Sequence, residues 1–325
     1  MAQITVTGVA GFIGSTLTEK LLKIGHTVKG IDSFTDYYSV NIKEKNIENC
    51  LKNSNFSLVR QDLETTDLFE TFQNSEYIFH LAAQPGVRKS WGKDFKVYNK
   101  NNITITQKIL ESLKNNSVLK KFVFASSSSV YGTQLGIMNE EKSLTRPISP
   151  YGVTKLAAEN LTNLYHQNYG IPTMALRYFT VYGPRQRPDM AFTRFLYSII
   201  KNEEFSIYGD GEQTRDFTYV DDIVSATINA ATSNSVGEVL NLGGGSVISL
   251  KEIIQIMKDM VGNDLKIKFD NEQKGDVKHT NADISKSKKL VDYNPKTDIK
   301  TGLALQFEYI KNNQNLYDGE IVYTK

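Results

Sequence analysis

The sequence has little of several features that would assign it to a specialised class of proteins. Its 325 residues contain one cysteine and seven prolines. Because Cys50 stands alone, an intramolecular disulfide is excluded, which is typical of proteins from a reducing compartment. Repeats, low-complexity tracts and proline-rich linkers are absent from the sequence, so we expect any domains to pack tightly against each other.

A strong charge and a long apolar run are also lacking. The 38 basic and 36 acidic residues give a net charge of +2, which offers no electrostatic basis for binding nucleic acid or an anionic membrane. The most apolar later stretch, residues 195–200, is far too short to span a bilayer. An apolar strand-like run begins directly after Met1-Ala2-Gln3, so we expect no signal peptide and predict a cytoplasmic protein. The four histidines show no metal-ligand spacing, and no metal is predicted.

The first 180 residues alternate short β-rich runs with longer segments of helical periodicity. Strands are predicted at residues 4–6, 27–31, 56–59, 77–81, 122–125 and 174–178, and helices include residues 12–24, 95–113 and 151–169. Strands without polar alternation, separated by helices, indicate a parallel sheet covered on both faces. The prediction is an α/β fold with a Rossmann-like doubly wound parallel sheet, whose ligands bind at the carboxyl ends of the strands.

After about residue 180 this alternation becomes irregular. We expect residues 1–180 to form the nucleotide-binding domain and residues 181–325 a smaller mixed α/β substrate-binding domain. Within the second part, residues 221–231 are predicted to form a helix and residues 238–242 a strand. Part of the segment 215–245 is expected to return to the first sheet.

Three glycines, Gly8, Gly11 and Gly14, follow the first predicted strand and open the first predicted helix. Glycines permit a tight turn and a close approach of the backbone to a pyrophosphate, which the helix N-terminus stabilises. Phe12 and Ile13 would supply the first core contacts of that helix. Since a purely structural turn can use the same glycines, the motif gains weight only from its position between a strand and a helix.

An acidic residue, Asp32, ends the second predicted strand. A carboxylate there can accept both ribose hydroxyls of adenosine and repels a 2′-phosphate. No Arg or Lys adjoins Asp32 in the sequence, which favours NAD over NADP. Asp62 and Leu63 would contact adenine, unless Asp62 is only a turn cap. The segment after His80, itself either a site residue or an ordinary packed histidine, would lie against the dinucleotide through Leu81, Ala82 and Ala83.

Tyr151 and Lys155 are four residues apart in a segment predicted to start a helix near Pro150, so both side chains would share one face. A phenol titrates near pH 10, and a neighbouring cation lowers that pKa towards the range of a general base. The same spacing occurs on many solvated helical faces and decides nothing by itself. A run of four serines from Ser126 to Ser129 precedes the pair.

Together these motifs resemble the extended short-chain dehydrogenase/reductase family, in its branch of NAD-dependent nucleotide-sugar epimerases and dehydratases. The resemblance covers nearly the whole chain and includes the glycine turn, Asp32, the serine run before Val130-Tyr131-Gly132, Tyr151 to Lys155, Arg177-Tyr178-Phe179, Gly209-Asp210-Gly211 and Arg215-Asp216. It implies that Tyr151 is the acid/base, that Lys155 also binds the nicotinamide ribose, and that Ser127 bonds the reacting oxygen. Asn102 matches a family asparagine near the cofactor, which is NAD.

Two further segments narrow the range of reactions that the resemblance allows. Dehydratases of this family carry an Asp-Glu pair after the catalytic Ser or Thr, whereas here Ser128 and Ser129 follow, which disfavours dehydration. The segment from Thr180 to Ala191 resembles the UDP-glucuronate 4-epimerases, in which an arginine at the position of Arg187 holds the substrate carboxylate and a threonine at the position of Thr180 lines the same pocket. Three alternatives stay open: a 4-epimerase of a neutral UDP-sugar, a UDP-glucuronate decarboxylase and an inactive NAD-binding regulator.

The resemblance also suggests how a UDP-sugar is anchored. Arg88, Ser128, Arg215 and Asp276 are assigned to substrate, and Ile207 lies in a segment that passes uracil in relatives. Many relatives place an arginine three residues before the aspartate, where this chain has Gln273. Relatives commonly form homodimers through four helices, here residues 95–113 and 151–169 of each copy.

Overall fold

The computed structural model describes residues 1–134, 136–245, 247–262, 264–271, 275 and 277–321. The strands are β1 (Gln3–Thr7), β2 (Thr27–Asp32), β3 (Phe56–Arg60), β4 (Tyr77–His80), β5 (Lys121–Ser127), β6 (Thr173–Tyr178), β7 (Thr180–Tyr182), β8 (Phe205–Tyr208), β9 (Thr214–Tyr219), β10 (Glu238–Leu242), β11 (Val247–Ser249) and β12 (Ile267–Asp270). The helices are α1 (Phe12–Lys23), α2 (Val40–Leu51), α3 (Leu68–Phe72), α4 (Phe95–Tyr98), α5 (Ile105–Ser112), α6 (Pro150–Tyr169), α7 (Ala191–Lys201), α8 (Val220–Thr232), α9 (Leu250–Val261), α10 (Ser285–Val291) and α11 (Ile299–Asn312).

A seven-stranded sheet in the order β10-β6-β5-β4-β1-β2-β3 forms the centre, and all its neighbouring strands pair in parallel. Every residue of β6 is buried, as a strand covered on both faces requires. The helices α1, α2 and α8 pack together on one face, and α3, α5 and α6 pack together on the other. The predicted doubly wound parallel sheet is therefore confirmed.

The order of the strands reverses between β1 and β4, which opens a crevice at their carboxyl ends. The glycine turn, the serine run and the loop after β4 all follow strands at this end of the sheet. The fold thus brings motifs from distant parts of the chain to one edge.

The helix α6 carries the Tyr-x-x-x-Lys pair, and its start is well defined. Ser149 caps it by accepting a hydrogen bond from the Gly152 backbone at 3.1 Å, and Pro150 occupies the first turn. The helix ends at Gly170, whose φ of +69° suits glycine. The predicted helix 95–113 is less regular, because a π-helical stretch, Asn99–Thr104, separates α4 from α5.

The second part of the chain builds smaller sheets beside the crevice. The strands β11, β9 and β7 form one sheet and β12 pairs with β8 in another. The strand β10 instead pairs in parallel with β6, so that this part of the chain contributes the last strand of the central sheet. The hydrophobic core of one sheet face continues through Phe192, Phe195 and Phe205 into the second part. The division into two domains near residue 180 stays a prediction.

Candidate active site

A cleft of about 630 Å³ lies at the carboxyl ends of the central strands. Its volume falls in the usual range of ligand sites. Residues that follow β1, β2, β4, β5 and β7 line it, so one cleft joins the glycine turn to the catalytic pair and the segment after Thr180.

The glycine turn forms one end of the cleft. Gly8 has a φ of +73° and its backbone N–H donates to Ile31 O at 2.8 Å, which closes the turn onto β2. A Cβ built on Gly14 would lie 2.2 Å from Gly8 O, so no side chain fits there. Gly11, the N-cap of α1, and the first helical residues Phe12 and Ile13 line the cleft, where backbone N–H groups suit a pyrophosphate. The residues present therefore fit a dinucleotide.

Asp32 organises the neighbouring loops. Its Oδ2 accepts a hydrogen bond from Ala10 N at 3.0 Å and its Oδ1 accepts one from Phe34 N at 2.8 Å. Lys43 lines the same cleft, interacts electrostatically with Asp32, and donates through Nζ to Thr35 O at 2.6 Å. The expectation that no cation adjoins Asp32 thus holds along the sequence but not in space, because Lys43 on α2 interacts with it.

The loops after β3 and β4 form the wall of the cleft. Asp62, Leu63, Leu81, Ala82 and Ala83 all line it. Asp62 is also a turn cap, since its Oδ1 accepts from Glu64 N at 2.9 Å. A place in the cleft and a capping role therefore coexist at Asp62.

His80 and Asn102 lie behind this wall. The two ring nitrogens of His80 contact the hydroxyls of Thr7 and Thr106 at 2.8 and 3.0 Å, and burial lowers the pKa of His80 to about 3. His80 is a packed neutral histidine. Asn102 is buried; its Nδ2 donates to Gln84 O at 3.1 Å and to Thr154 Oγ1 at 2.9 Å. It does not line the cleft in the described structure, and it supports the loop after β4 instead.

The catalytic candidates Ser127, Tyr151 and Lys155 line the centre of the cleft. Lys155 donates through Nζ to Ala125 O at 2.8 Å, and burial lowers the pKa of Lys155 to about 8. Burial raises the pKa of Tyr151, although a hydrogen bond with Ser127 and the charge of Arg187 oppose the shift. Desolvation of the buried phenol thus opposes the lowering of the Tyr151 pKa that a neighbouring cation gives, and the ammonium group of Lys155 bonds a backbone carbonyl. The role expected of Lys155 stays a prediction.

A buried ion pair stabilises the packing of α6, which carries Lys155, on the central sheet, whose strand β5 ends at Ser127. Glu159, one turn beyond Lys155 on α6, pairs with Arg177 Nη2 of β6 at 2.6 Å. Glu159 also accepts a hydrogen bond from Ser126 Oγ at 2.6 Å, directly before Ser127. These contacts tie the end of β5 to α6 and thereby fix Ser127 relative to Lys155.

Ser128, Thr180 and Arg187 line the cleft on its other side. The guanidinium of Arg187 binds Asp189 through two hydrogen bonds, Nε–Oδ1 at 2.9 Å and Nη2–Oδ2 at 3.1 Å. A planar cation in the same cleft as a phenol and a serine hydroxyl suits a ligand that carries both a hydroxyl and a carboxylate.

A sequence model of the NAD-dependent epimerases and dehydratases matches residues 4–243, which include the glycine turn, the catalytic pair and Arg187. The chain belongs to the NAD-dependent epimerase/dehydratase family. The sequence-based identification of the family and of NAD as its cofactor is confirmed.

Relatives within the family cover nearly the whole chain. The UDP-glucuronate 4-epimerase of Thermodesulfobacterium geofontis is 43% identical over 322 residues, which span 97% of this chain and 98% of the relative. The uncharacterized UDP-glucose epimerase YtcB of Bacillus subtilis is 44% identical over 320 residues, 98% of this chain and 100% of the relative. The crystal structure of the Bacillus cereus UDP-glucuronic acid 4-epimerase, in complex with UDP-glucuronic acid and NAD, superposes with a TM-score of 0.93 at 45% identity and covers 96% of this chain and 99% of that chain.

The residues assigned to the nucleotide part of the substrate lie away from the described lining of the cleft. The side chain of Ile207 is completely buried in the core, so only the backbone of β8 is available to a ligand at this point. Arg215 donates through Nη1 to Thr214 O at 2.9 Å and to Lys278 O at 2.8 Å. The guanidinium of Arg88 lies 4.3 Å above the ring of Tyr208. Asp276 and Gln273 lie outside the described residues.

The sequence analysis missed Lys43 and assigned no role to Tyr37 or Asp189. A signal for Lys43 exists: Ile42, Lys43, Asn46 and Ile47 form one buried stripe of α2, and a lysine within such a stripe needs a polar partner. Tyr37 and Asp189 carry no comparable signal, because their contact joins segments that are 152 residues apart.

Proposed function

We propose that the protein interconverts UDP-glucuronate and UDP-galacturonate by inverting C4 through a transient 4-keto sugar, with NAD retained in the cleft. The observation that carries this proposal is the position of Arg187. Its guanidinium lines the cleft with Tyr151, and its charge acts on the phenol. A carboxylate held by Arg187 would therefore belong to the sugar whose hydroxyl meets Tyr151.

When bound, NAD supplies the acceptor and donor of a hydride at C4. Tyr151 takes the proton of the 4-hydroxyl and later returns it on the opposite face of the sugar ring. Ser127, which hydrogen-bonds Tyr151, stabilises charge that develops on the same oxygen. The ammonium of Lys155 maintains a positive charge beside these groups while it is protonated.

The 4-keto sugar acid is a β-keto acid, which loses CO₂ when its bond to the carboxylate aligns with the carbonyl π system. We propose that Arg187, Thr180 and Ser128 hold the carboxylate out of that alignment. All three side chains line the cleft, which supports the idea. Arginine suits this role because its planar fork binds a carboxylate through two parallel hydrogen bonds.

Two other reactions use the same first step. A neutral UDP-sugar 4-epimerase is supported by the name of the Bacillus subtilis relative. A UDP-glucuronate decarboxylase would release the carboxylate that the epimerase retains. An inactive regulator is disfavoured because Tyr151 and Lys155 are both present in the cleft.

Incubation of the purified protein with UDP-glucuronate, followed by NMR of the sugar, separates these candidates. UDP-galacturonate without CO₂ supports the proposal, and a UDP-pentose supports decarboxylation. An unchanged spectrum rejects the proposal, and UDP-glucose and UDP-galactose are then assayed as substrates. In the Arg187→Ala variant we expect a loss of about 10–100-fold in kcat/KM, as for a lost charge-assisted pair, together with CO₂ release. Full activity without CO₂ in that variant would refute the carboxylate clamp.

We also propose that the protein is a cytoplasmic homodimer and that each chain is divided into two domains near residue 180. Val153, Leu164 and Tyr169 expose about half of their apolar surface along α6, which supports a helical interface. In the described ranges, each helix is too short or too polar to cross a membrane. Sedimentation equilibrium tests the dimer, and a monomer at micromolar concentration would reject it.

A further inference from the structure

Asp189 holds the guanidinium of Arg187 in one orientation. The two side chains are two residues apart in a turn that closes with a hydrogen bond from Met190 N to Arg187 O at 3.1 Å. Their side chains are 19% and 35% exposed, so the pair is partly shielded from water. Arg187 is among the described residues that line the cleft and Asp189 is not, which places the carboxylate behind the guanidinium.

The pairing uses one particular edge of the guanidinium. Asp189 engages Nε and Nη2 at 2.9 and 3.1 Å, so it occupies the side edge of the fork. A guanidinium carries five N–H donors and has a second edge, formed by Nη1 and Nη2, with the same bidentate geometry. Arg187 can therefore bind Asp189 and a second carboxylate at the same time.

The position of Asp189 is itself fixed from another segment. The hydroxyl of Tyr37, in the loop after β2, lies 3.4 Å from Asp189 Oδ2. The ammonium of Lys89 lies 4.9 Å from the centre of the Tyr37 ring. A Cβ on Gly86 would lie 2.5 Å from the Tyr37 hydroxyl, so this ring packs tightly on the loop after β4. Asp189 thus lies where the loops after β2, β4 and β7 meet.

We propose that Asp189 is the positioning residue that sets which edge of Arg187 meets the sugar carboxylate, and that it thereby decides whether the 4-keto sugar is reduced with its carboxylate or loses it. The inference rests on the proposed function. If Arg187 rotates, the carboxylate bond can align with the carbonyl. The bond from C5 to the carboxylate then breaks, CO₂ leaves, and the electron pair of that bond forms an enolate, which takes a proton from solvent at C5. Return to C4 of the hydride and the proton taken from it would then give the UDP-pentose.

The test is the ratio of UDP-pentose and CO₂ to UDP-galacturonate in the Asp189→Asn variant. The amide keeps the shape of the side chain but loses its charge and one acceptor. We expect the ratio to rise at least about tenfold above the parent value or, where the parent releases no measurable CO₂, above the detection limit, which is the effect of one charge-assisted hydrogen bond. A purely structural role would lower total activity and the midpoint of urea unfolding without changing the ratio.

The matched control is Glu19→Gln. Glu19 pairs with Arg185 Nη2 at 2.7 Å, two residues before Arg187, and neither residue lines the cleft in the described structure. Since a partly exposed pair contributes little, its product ratio should stay within about twofold of the parent protein. An unchanged ratio in folded Asp189→Asn overturns the inference, and so does an equal rise in Glu19→Gln.

A second variant covers the case in which Asp189→Asn does not fold. Asp189→Glu keeps the charge and displaces the guanidinium by one methylene, so the ratio should rise here too; an unchanged ratio overturns the inference. The two proposals remain separable. If the parent protein does not convert UDP-glucuronate, the proposed function fails, whereas conversion with an unaltered ratio in the variants rejects only the role of Asp189.

Discussion

The two sides of the cleft are lined by different parts of the chain. On the side that fits the cofactor, the backbone of the glycine turn and the start of α1 line the cleft, and Gly14 leaves no room for a side chain. On the side proposed to bind the sugar, the side chains of Thr180, at the start of β7, and Arg187, in the loop after β7, line the cleft. Steric necessity therefore fixes the first side, whereas the second can change without altering the fold, which is why the family is easier to assign than the substrate.

Tyr151 stands where the two sides meet, and its replacement should have the largest effect. In Tyr151→Phe we expect kcat to fall about 10²–10⁴-fold, because the proton acceptor is lost. Copurified dinucleotide, measured by absorbance, should stay at the level of the parent protein.

Tyr98→Phe is the matched control for Tyr151→Phe. Its ring lies 6.3 Å from that of Tyr151, its hydroxyl donates to Gly86 O at 2.8 Å, and it is not among the described residues that line the cleft. Activity in Tyr151→Phe within tenfold of the parent protein would exclude Tyr151 as the general base.

A pair of glycine variants tests whether the cofactor side depends on sterics. Gly14→Ala should lower the free energy of unfolding by about 1–3 kcal/mol, as an overpacked contact does, because the new Cβ would lie 2.2 Å from Gly8 O. In Gly11→Ala the nearest atom, also Gly8 O, is 3.2 Å away, so stability should change less while dinucleotide retention falls. Urea unfolding and absorbance measure the two effects. Equal destabilisation by both substitutions would contradict the steric account.

The protonation state of Lys155 should have a smaller effect on kcat/KM, and this effect depends on pH. Burial lowers its pKa to about 8, so kcat/KM should fall above about pH 8 as the ammonium loses its proton. The contribution of Lys155 to stability has the opposite sign: between this pKa and the unfolded value near 10.5 the unfolded chain binds more protons, so stability rises with pH. Rate profiles and urea unfolding from pH 7 to 10 measure both trends.

Lys155→Arg is the control for this pH dependence, because a guanidinium stays charged throughout the range. Its residual activity should show no fall above pH 8. A fall of the same size in this variant would assign the titration to another group.

The fold and the cofactor side could be predicted because their signals are local. The glycine turn needs only neighbouring residues, and the capped start of α6 places Tyr151 and Lys155 on one face without help from the rest of the chain. Hydrophobic strands between helices leave few arrangements other than a doubly wound sheet. The predicted strands of the central sheet therefore agree with the observed ones to within a few residues.

The remaining features depend on tertiary contacts that no spacing encodes. Asn102 turns inward within a π-helical stretch that interrupts the predicted helix. Ile207 lies in a segment that passes uracil in relatives, yet its side chain is completely buried in this structure. The pKa of Tyr151 also depends on burial, which is a property of the folded site and not of the Tyr-x-x-x-Lys spacing.

The returning strand β10 has a consequence for how the protein is made. On the ribosome β6 is complete at Tyr178, but β10, which pairs with it, begins only at Glu238. Until the residues between them emerge, the nascent chain carries an apolar strand with one open edge, a form that is prone to aggregate. A chain truncated near residue 180 would keep the glycine turn and the catalytic pair and still lack the strand that closes its sheet.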